Sequence, residues 1–158
     1  MRTFSLLKGL PVIVKSSGNK IGDVYDISIS NNGMVKGLLI KKGALFKKML
    51  FIDIQNITSF GQDGVMIEDS SKVETLKNSA DYTFDSSHKL TGKILMSSKG
   101  EKLGLLEDVY FQEELGTIVG YECSDGFFSD ITEGKRVIKT NEPPTIGKDT
   151  IIVNVNEV

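Results

Sequence analysis

The stretch KIGDVYDISI, residues 20–29, returns in altered form as KLGLLEDVYF, residues 102–111, and this repetition decides the fold. Placing Gly22 on Gly104 gives an offset of 82 residues between the two stretches. The same offset superposes three further pairs: Lys20 on Lys102, Val24 on Leu106 and Asp26 on Asp108. Matching of this kind at a fixed offset indicates that one structural unit is encoded twice.

Two later segments keep the same order along the chain. GMVKG (33–37) falls on GTIVG (116–120) after one inserted residue. SFGQDGVMI (59–67) falls on TIGKDTIIV (145–153). Because the order is preserved throughout, the chain contains two copies of one module.

Each copy has the sequence pattern of short β-strands joined by tight turns. NNG at residues 31–33 is a strong hairpin signal, because Asn and Gly tolerate a positive φ. No segment of ten or more residues shows the 3.6-residue period of a helix. The predicted strands are PVIV, VYDISIS, MVKGLLIKK, MLFIDI and GVMIED in the first copy, and KILM, LLEDVYFQ, TIVGYECS, KRVIKT and TIIVNV in the second. The sequence therefore predicts an all-β protein made of two tandem small barrels.

Within the repeated stretch, Val24 and Ile27 are both apolar although three residues separate them. An odd spacing places side chains on opposite faces of a regular strand. Either a β-bulge near Asp26, and near its counterpart Asp108, returns both apolar residues to the core, or the strand is covered on both sides by the other copy. We expect the two aspartates to bond nearby backbone amides.

A polar, serine-rich stretch lies between the copies. Val73 and Leu76, with Ala80, predict one short helical turn docked on the first barrel. We expect three parts: a first barrel over residues 1–70, a linker over residues 71–87 and a second barrel over residues 88–158.

The composition restricts the chemistry that the chain can perform. The single cysteine, Cys123, excludes an intramolecular disulfide and predicts a small buried residue, and the single histidine, His88, predicts a solvated linker residue. We find no catalytic constellation, metal site or cofactor site in the sequence. No run of about 18 apolar residues could span a membrane, and no signal peptide is recognisable, so we expect a cytoplasmic protein.

Charge is distributed unevenly between the copies, since residues 1–79 carry a net charge of +4 and residues 80–158 one of -6. The candidate partner-binding residues lie at two predicted hairpin tips: Lys41, Lys42, Leu45, Phe46, Lys47 and Lys48 in the first copy, and Phe127 and Phe128, among acidic residues, in the second. Apolar residues flanked by charges can anchor a partner while the charges steer its approach. The alternative is a solvated hairpin whose lysines protect a sheet edge. Opposite charge also predicts pairing of the two tips, within one chain or between two chains.

The pattern G-x-K-[IL]-G-x-[VL]-x-D-[IV], followed by GxxxG and a closing [FI]-G-x-D strand, resembles the PRC-barrel family. This β-barrel is shared by the photosynthetic reaction-centre H subunit and the ribosome-maturation factor RimM. The resemblance covers nearly the whole chain twice, as in two-copy proteins of spore-forming bacteria. Asp53 in FIDIQNI stands where the family often has proline.

The resemblance implies binding to other proteins rather than catalysis. We therefore expect a non-enzymatic adaptor or protein-binding module of unidentified partner. The alternative is an RNA- or ribosome-associated maturation factor that uses five lysines of the first copy: Lys36, Lys41, Lys42, Lys47 and Lys48. RNA binding generally adds stacking aromatic residues to such cations, and the isoelectric point near 5.5 favours the protein partner.

Overall fold

A computed structural model describes residues 1–43, 49–76, 81–124 and 135–155, and within them the chain folds into two curled β-sheets. One short helix, α1 (Phe4–Leu7), and two single 3-10 turns, Ile54–Asn56 and Ser70–Lys72, accompany the strands in these residues. The strands are β1 (Arg2–Thr3), β2 (Pro11–Val14), β3 (Lys20–Ile29), β4 (Val35–Lys41), β5 (Met49–Asp53), β6 (Ile57–Phe60), β7 (Val65–Ile67), β8 (Glu74–Thr75), β9 (Tyr82–Thr83), β10 (Ile94–Ser97), β11 (Lys102–Phe111), β12 (Ile118–Ser124), β13 (Lys135–Lys139), β14 (Thr145–Ile146) and β15 (Thr150–Val153).

The two sheets have the same topology, which confirms the all-β class and the duplication. The first has the strand order β6-β7-β2-β3-β4-β5-β8, and the second has β14-β15-β10-β11-β12-β13. Strand β2 pairs with β7 in parallel, and its counterpart β10 pairs with β15 in parallel. The other neighbours in each sheet are antiparallel. Every strand segment predicted from the sequence is found, whereas α1 and the short strands β1, β6, β8, β9 and β14 were not predicted.

The stretch after the first sheet differs from the predicted helical turn. Asp69 accepts a hydrogen bond from the backbone N–H of Ser71 at 2.8 Å and so caps a 3-10 turn that ends before Val73. The chain is then extended in β8, which pairs with β5. Pairing with a sheet edge favours the extended conformation, because it satisfies backbone groups that one isolated helical turn would leave open. Ala80 lies outside the described residues.

Both long central strands contain the predicted β-bulge. The register of β3 against β4 shifts between Val24 and Asp26, so Tyr25 is the extra residue. The register of β11 against β12 shifts in the same way between Leu106 and Asp108. After the bulge, residues 26–29 are all buried. The second explanation for the spacing therefore also holds, since this part of β3 is covered on both faces.

The leading segment of the other copy contacts this part of β3, because the two copies exchange their leading strands. Strand β1 pairs with β11 in the second sheet and places Thr3 opposite Tyr110. Strand β9 pairs with β3 in the first sheet and places Thr83 opposite Ser28. Ser28 and Tyr110 are equivalent at the offset of 82, so the exchange is reciprocal, as in a two-fold symmetric dimer. The residue boundaries proposed for the barrels stay a prediction.

The exchange joins the two copies into one continuous hydrophobic core. At its centre the Phe4 and Phe84 rings, one from each leading segment, have centroids 4.7 Å apart. The tips of the β3–β4 and β11–β12 hairpins also meet, where Val35 donates a backbone hydrogen bond to the carbonyl of Gly116 at 2.7 Å. Gly116 has a φ of +77°, and a Cβ atom there would lie 2.0 Å from the carbonyl oxygen of Val35. A residue without a side chain is therefore required at this contact.

Candidate functional site

The bulge carboxylate of the first copy, Asp26, is fully buried and saturated with backbone donors. Its Oδ1 atom accepts from the N–H of Ile27 at 2.7 Å and from that of Phe84 at 3.0 Å. The N–H of Asp85 donates to both carboxylate oxygens, at 3.2 and 3.1 Å. Two of these three donors belong to the leading segment of the other copy. Asp26 thus fastens the second copy to the first.

Asp108 links the two copies in the same way in the second sheet, but it accepts from fewer donors. It is 4% exposed and accepts from the N–H of Val109 at 2.9 Å and from that of Ser5 at 3.2 Å. The predicted bonds to neighbouring amides are confirmed at both aspartates, but the donors from the opposite copy were not predicted. The sequence held a signal for them, because a buried carboxylate needs more donors than its own strand provides.

Ion pairs at the surface also join the copies, and they account for part of the uneven charge. Lys8 contacts Asp85 and Lys36 contacts Asp81, each with a nitrogen–oxygen distance of 2.8 Å. The hydrogen bond from Lys8 lowers the pKa of the Asp85 carboxyl, and the same bond raises the pKa of Lys8. Lys8, Asp85 and Lys36 are exposed and Asp81 is half-buried, so these ion pairs add little to stability.

The predicted basic tip of the first copy is described only in part, since Leu45, Phe46, Lys47 and Lys48 lie outside the described residues. Lys41 ends β4, with its ammonium 4.9 Å from the centroid of the Tyr25 ring, a cation–π contact. Lys42 follows and is exposed. Lys36, the other member of the predicted RNA-binding set, is held by Asp81.

The predicted acidic tip, with Phe127 and Phe128, also lies outside the described residues. Strand β12, which precedes it, ends at Ser124, whose hydroxyl donates a hydrogen bond to the Glu107 carboxylate at 2.7 Å. Strands β4 and β12 both begin at the contact between the β3–β4 and β11–β12 turns. About 20 Å of extended chain separates this contact from Lys41 at the end of β4, and the same length separates it from Ser124 at the end of β12. The pairing of the two tips, within one chain or between chains, stays a prediction.

An open cleft of about 490 Å³ lies along the outer edge of the first sheet. Phe51 from β5 and Leu76 after β8 supply its apolar surface, and Glu74 and Thr75 supply its polar rim.

The remaining reactive groups of the described residues are buried or isolated. Cys123 is fully buried, as predicted, and His88 is exposed with a positive φ of 53°. The Tyr121 hydroxyl is buried and has no hydrogen-bond partner within the described part of the chain, and burial raises the pKa of this phenol well above its usual value. Across the described ranges, no three His, Cys, Asp or Glu side chains gather as metal ligands would. None of the helices in those ranges has the length and apolar character needed to cross a bilayer.

Comparison with known proteins agrees with the duplicated architecture. The family model described as PRC-barrel domain matches this chain twice, over residues 1–74 and residues 83–158. The chain is also similar to a Bacillus subtilis (strain 168) protein described as "Uncharacterized protein YrrD", with 32% identity over 156 residues. That alignment covers 98% of this chain and 88% of the relative.

Proposed function

The chain belongs to the PRC-barrel domain family, and from this premise we propose that it is a non-enzymatic protein-binding module. The resemblance predicted from the repeated motif is confirmed by the two family matches. The adaptor role, the absence of catalysis and a cytoplasmic location are the parts of the proposal that experiment must test.

The proposal rests on one observation, the hydrogen bonds that the Asp26 and Asp108 carboxylates accept from the opposite copy. Buried carboxylates are the groups most often recruited for acid–base chemistry. Here their oxygens accept backbone N–H groups of the opposite copy, so both serve the joining of the two barrels. Two barrels fixed in this way present a preorganised surface, which lowers the entropic cost of binding a partner.

We place the partner first at the basic end of the first copy, at Lys41, Lys42 and the predicted tip residues Leu45, Phe46, Lys47 and Lys48. Lys42 is exposed, and Lys41 is positioned by the Tyr25 ring. The second predicted contact is the tip that carries Phe127 and Phe128. A homo-oligomer joined through these oppositely charged tips is one form that the partner can take.

Site-specific photocrosslinking in cells tests the proposal. A photoreactive phenylalanine derivative is placed at Lys42, with Asp63, in the exposed turn before β7, as the matched control position. We expect one protein to crosslink from position 42, and Phe46→Ala to remove that adduct while the fold is retained. Equal crosslinking from both positions would overturn the proposed surface. Fractionation of the tagged protein tests the cytoplasmic location.

A filter-binding assay with labelled total RNA separates the alternative. Phosphate contacts make RNA binding fall by orders of magnitude between about 50 and 200 mM salt. Because Asp81 already holds Lys36, we expect little retention of RNA at either salt concentration. Salt-dependent retention that is lost in a Lys41→Glu and Lys42→Glu variant would replace the adaptor role with RNA binding.

A further inference from the structure

The two sheets end differently at corresponding edges. In the first sheet the outer edge of β5 is paired with β8, with Leu50 opposite Thr75 and Phe51 opposite Glu74. In the second sheet the strand order ends at β13, and within the described residues no strand pairs with its outer edge. The first copy therefore shows how such an edge is filled, and among the described residues of the second copy the same edge has no counterpart of β8.

The strand registers identify which residues correspond. Gly37 is opposite Asp53, and the equivalent Gly120 is opposite Lys139, so β5 and β13 are aligned residue by residue. On this alignment Val137 takes the place of Phe51. Phe51 is partly covered and lines the cleft beside β8, whereas Val137 is 46% exposed. The apolar position that β8 shields in the first copy is thus uncovered in the second.

The charge of β13 indicates which kind of strand can pair with its outer edge. Its sequence KRVIK has three cations and no acid, and Lys139 and Arg136 are exposed. Cations on an edge strand oppose pairing with a second copy of the same strand, since like charges would lie side by side. An acidic strand would meet complementary charge instead.

We propose that the outer edge of β13 is a docking site for an extended, acidic segment of a partner protein, which adds antiparallel as β8 adds to β5. Main-chain hydrogen bonds then give affinity, and alternate side chains give selectivity. Side chains two residues apart on a strand share a face. A docked segment with an apolar residue opposite Val137 and an acidic residue two positions along therefore presents the acid to Lys139. This inference rests on the proposed protein-binding function and names a partner class and a second surface for it.

The test measures binding of a defined peptide to the full chain. The probe is a fluorescein-labelled, nine-residue peptide in which threonine alternates with glutamate around a central valine, and the control peptide has lysine for glutamate. Fluorescence anisotropy reports affinity, and amide hydrogen exchange reports location. We expect the acidic peptide to bind, the lysine peptide not to bind, and new protection to be confined to residues 135–139.

Two charge-reversal variants make the result specific. We expect Lys139→Glu to weaken the acidic peptide about tenfold or more and to allow the lysine peptide to bind. Lys148→Glu, an exposed turn residue next to β15, is the matched control and should change affinity less than about twofold. Circular dichroism of both variants checks that the fold is retained.

Three outcomes would reject the docking site at β13, and each has a different meaning. No binding of the acidic peptide up to about 1 mM shows that the cations of β13 serve only to protect the edge, and the docking site is then rejected. Equal weakening by both variants shows unspecific charge attraction and rejects it too. Protection near residues 41–43 in place of β13 would reject this site and support the basic end given under the proposed function.

Discussion

The two leading segments of this protein reach equivalent positions by different paths. Thr3 and Thr83 pair with equivalent residues of the opposite sheets, and Phe4 and Phe84 then meet at the centre. In the first segment a short helix connects Phe4 to the next fully buried leucine, Leu7. In the second segment an irregular turn with three more residues connects Phe84 to Leu90. The comparison teaches that the contact between the copies fixes the strand pairing, while the connection is free to vary.

The same comparison reveals differences in how tightly each exchange is held. Asp26 accepts from three backbone N–H groups, and Asp108 from two. Edge β5 is covered by β8, and among the described residues edge β13 has no such cover. The two copies therefore share one topology but differ in the number of hydrogen bonds at the buried carboxylate and, within the described ranges, in the pairing of the edge strand.

The largest expected effect separates the two carboxylates. We expect Asp26→Ala to lower the free energy of unfolding by about 3 kcal/mol, and Asp108→Ala by about 2 kcal/mol, because three backbone N–H groups lose a charged acceptor in the first variant and two lose one in the second. Urea denaturation of both variants measures this difference.

The Asn substitutions are the controls for the two carboxylates. Asp26→Asn and Asp108→Asn keep one acceptor oxygen, so each should lose less stability than its alanine counterpart. Equal losses for Asp26→Ala and Asp108→Ala would show that the exchange is energetically symmetric, against the hydrogen-bond pattern.

An intermediate effect is expected at Tyr121, which the registers align with Leu38 of the first copy. Its buried hydroxyl has no hydrogen-bond partner among the residues that the structure describes, so Tyr121→Phe should raise the free energy of unfolding by about 1 kcal/mol at neutral pH. Tyr110→Phe, at a half-buried position, is the control and should give no gain. A loss of stability in Tyr121→Phe would indicate that the hydroxyl has an acceptor.

The pH dependence at Tyr121 has a definite sign. Burial raises the pKa of this phenol, so above about pH 10 the unfolded chain releases a proton that the folded chain retains. Stability of the parent protein should therefore fall as the pH rises beyond that value. The fall should be smaller in Tyr121→Phe, as measured by urea midpoints at several alkaline pH values.

The smallest effect is expected at the surface ion pair between the copies. Lys8→Gln should cost less than about 0.5 kcal/mol at physiological salt, since Lys8 and Asp85 are largely exposed and screened. The Asp85 pKa is lowered by Lys8, so this contribution is fully present above the ordinary carboxyl pKa and is lost as the pH falls from there through the lowered pKa of the folded protein. Lys20→Gln, which breaks a pair within the first copy, is the matched control. A cost above about 2 kcal/mol would mean that electrostatics, and not the carboxylate–amide bonds, hold the exchange together.

The sequence by itself determined the duplication, the all-β class and ten strands, namely β2–β5, β7, β10–β13 and β15. These features are local, because side-chain alternation and Asn or Gly turns act between residues close in the chain. The odd spacing of Val24 and Ile27 predicted either a bulge near Asp26, and near its counterpart Asp108, or cover on both faces, and the strand registers show the bulges. Burial of Cys123 followed from its residue type.

Only the tertiary structure decided which copy each leading strand joins, which amides bind Asp26 and Asp108, and that β8 pairs with the edge of β5. The reason is physical: two copies of one module offer nearly identical backbone edges, so the sequence of β1 or β9 does not distinguish its own sheet from the other. The choice depends on packing among residues remote in sequence, such as Phe4 against Phe84. Those contacts exist only once both sheets have formed.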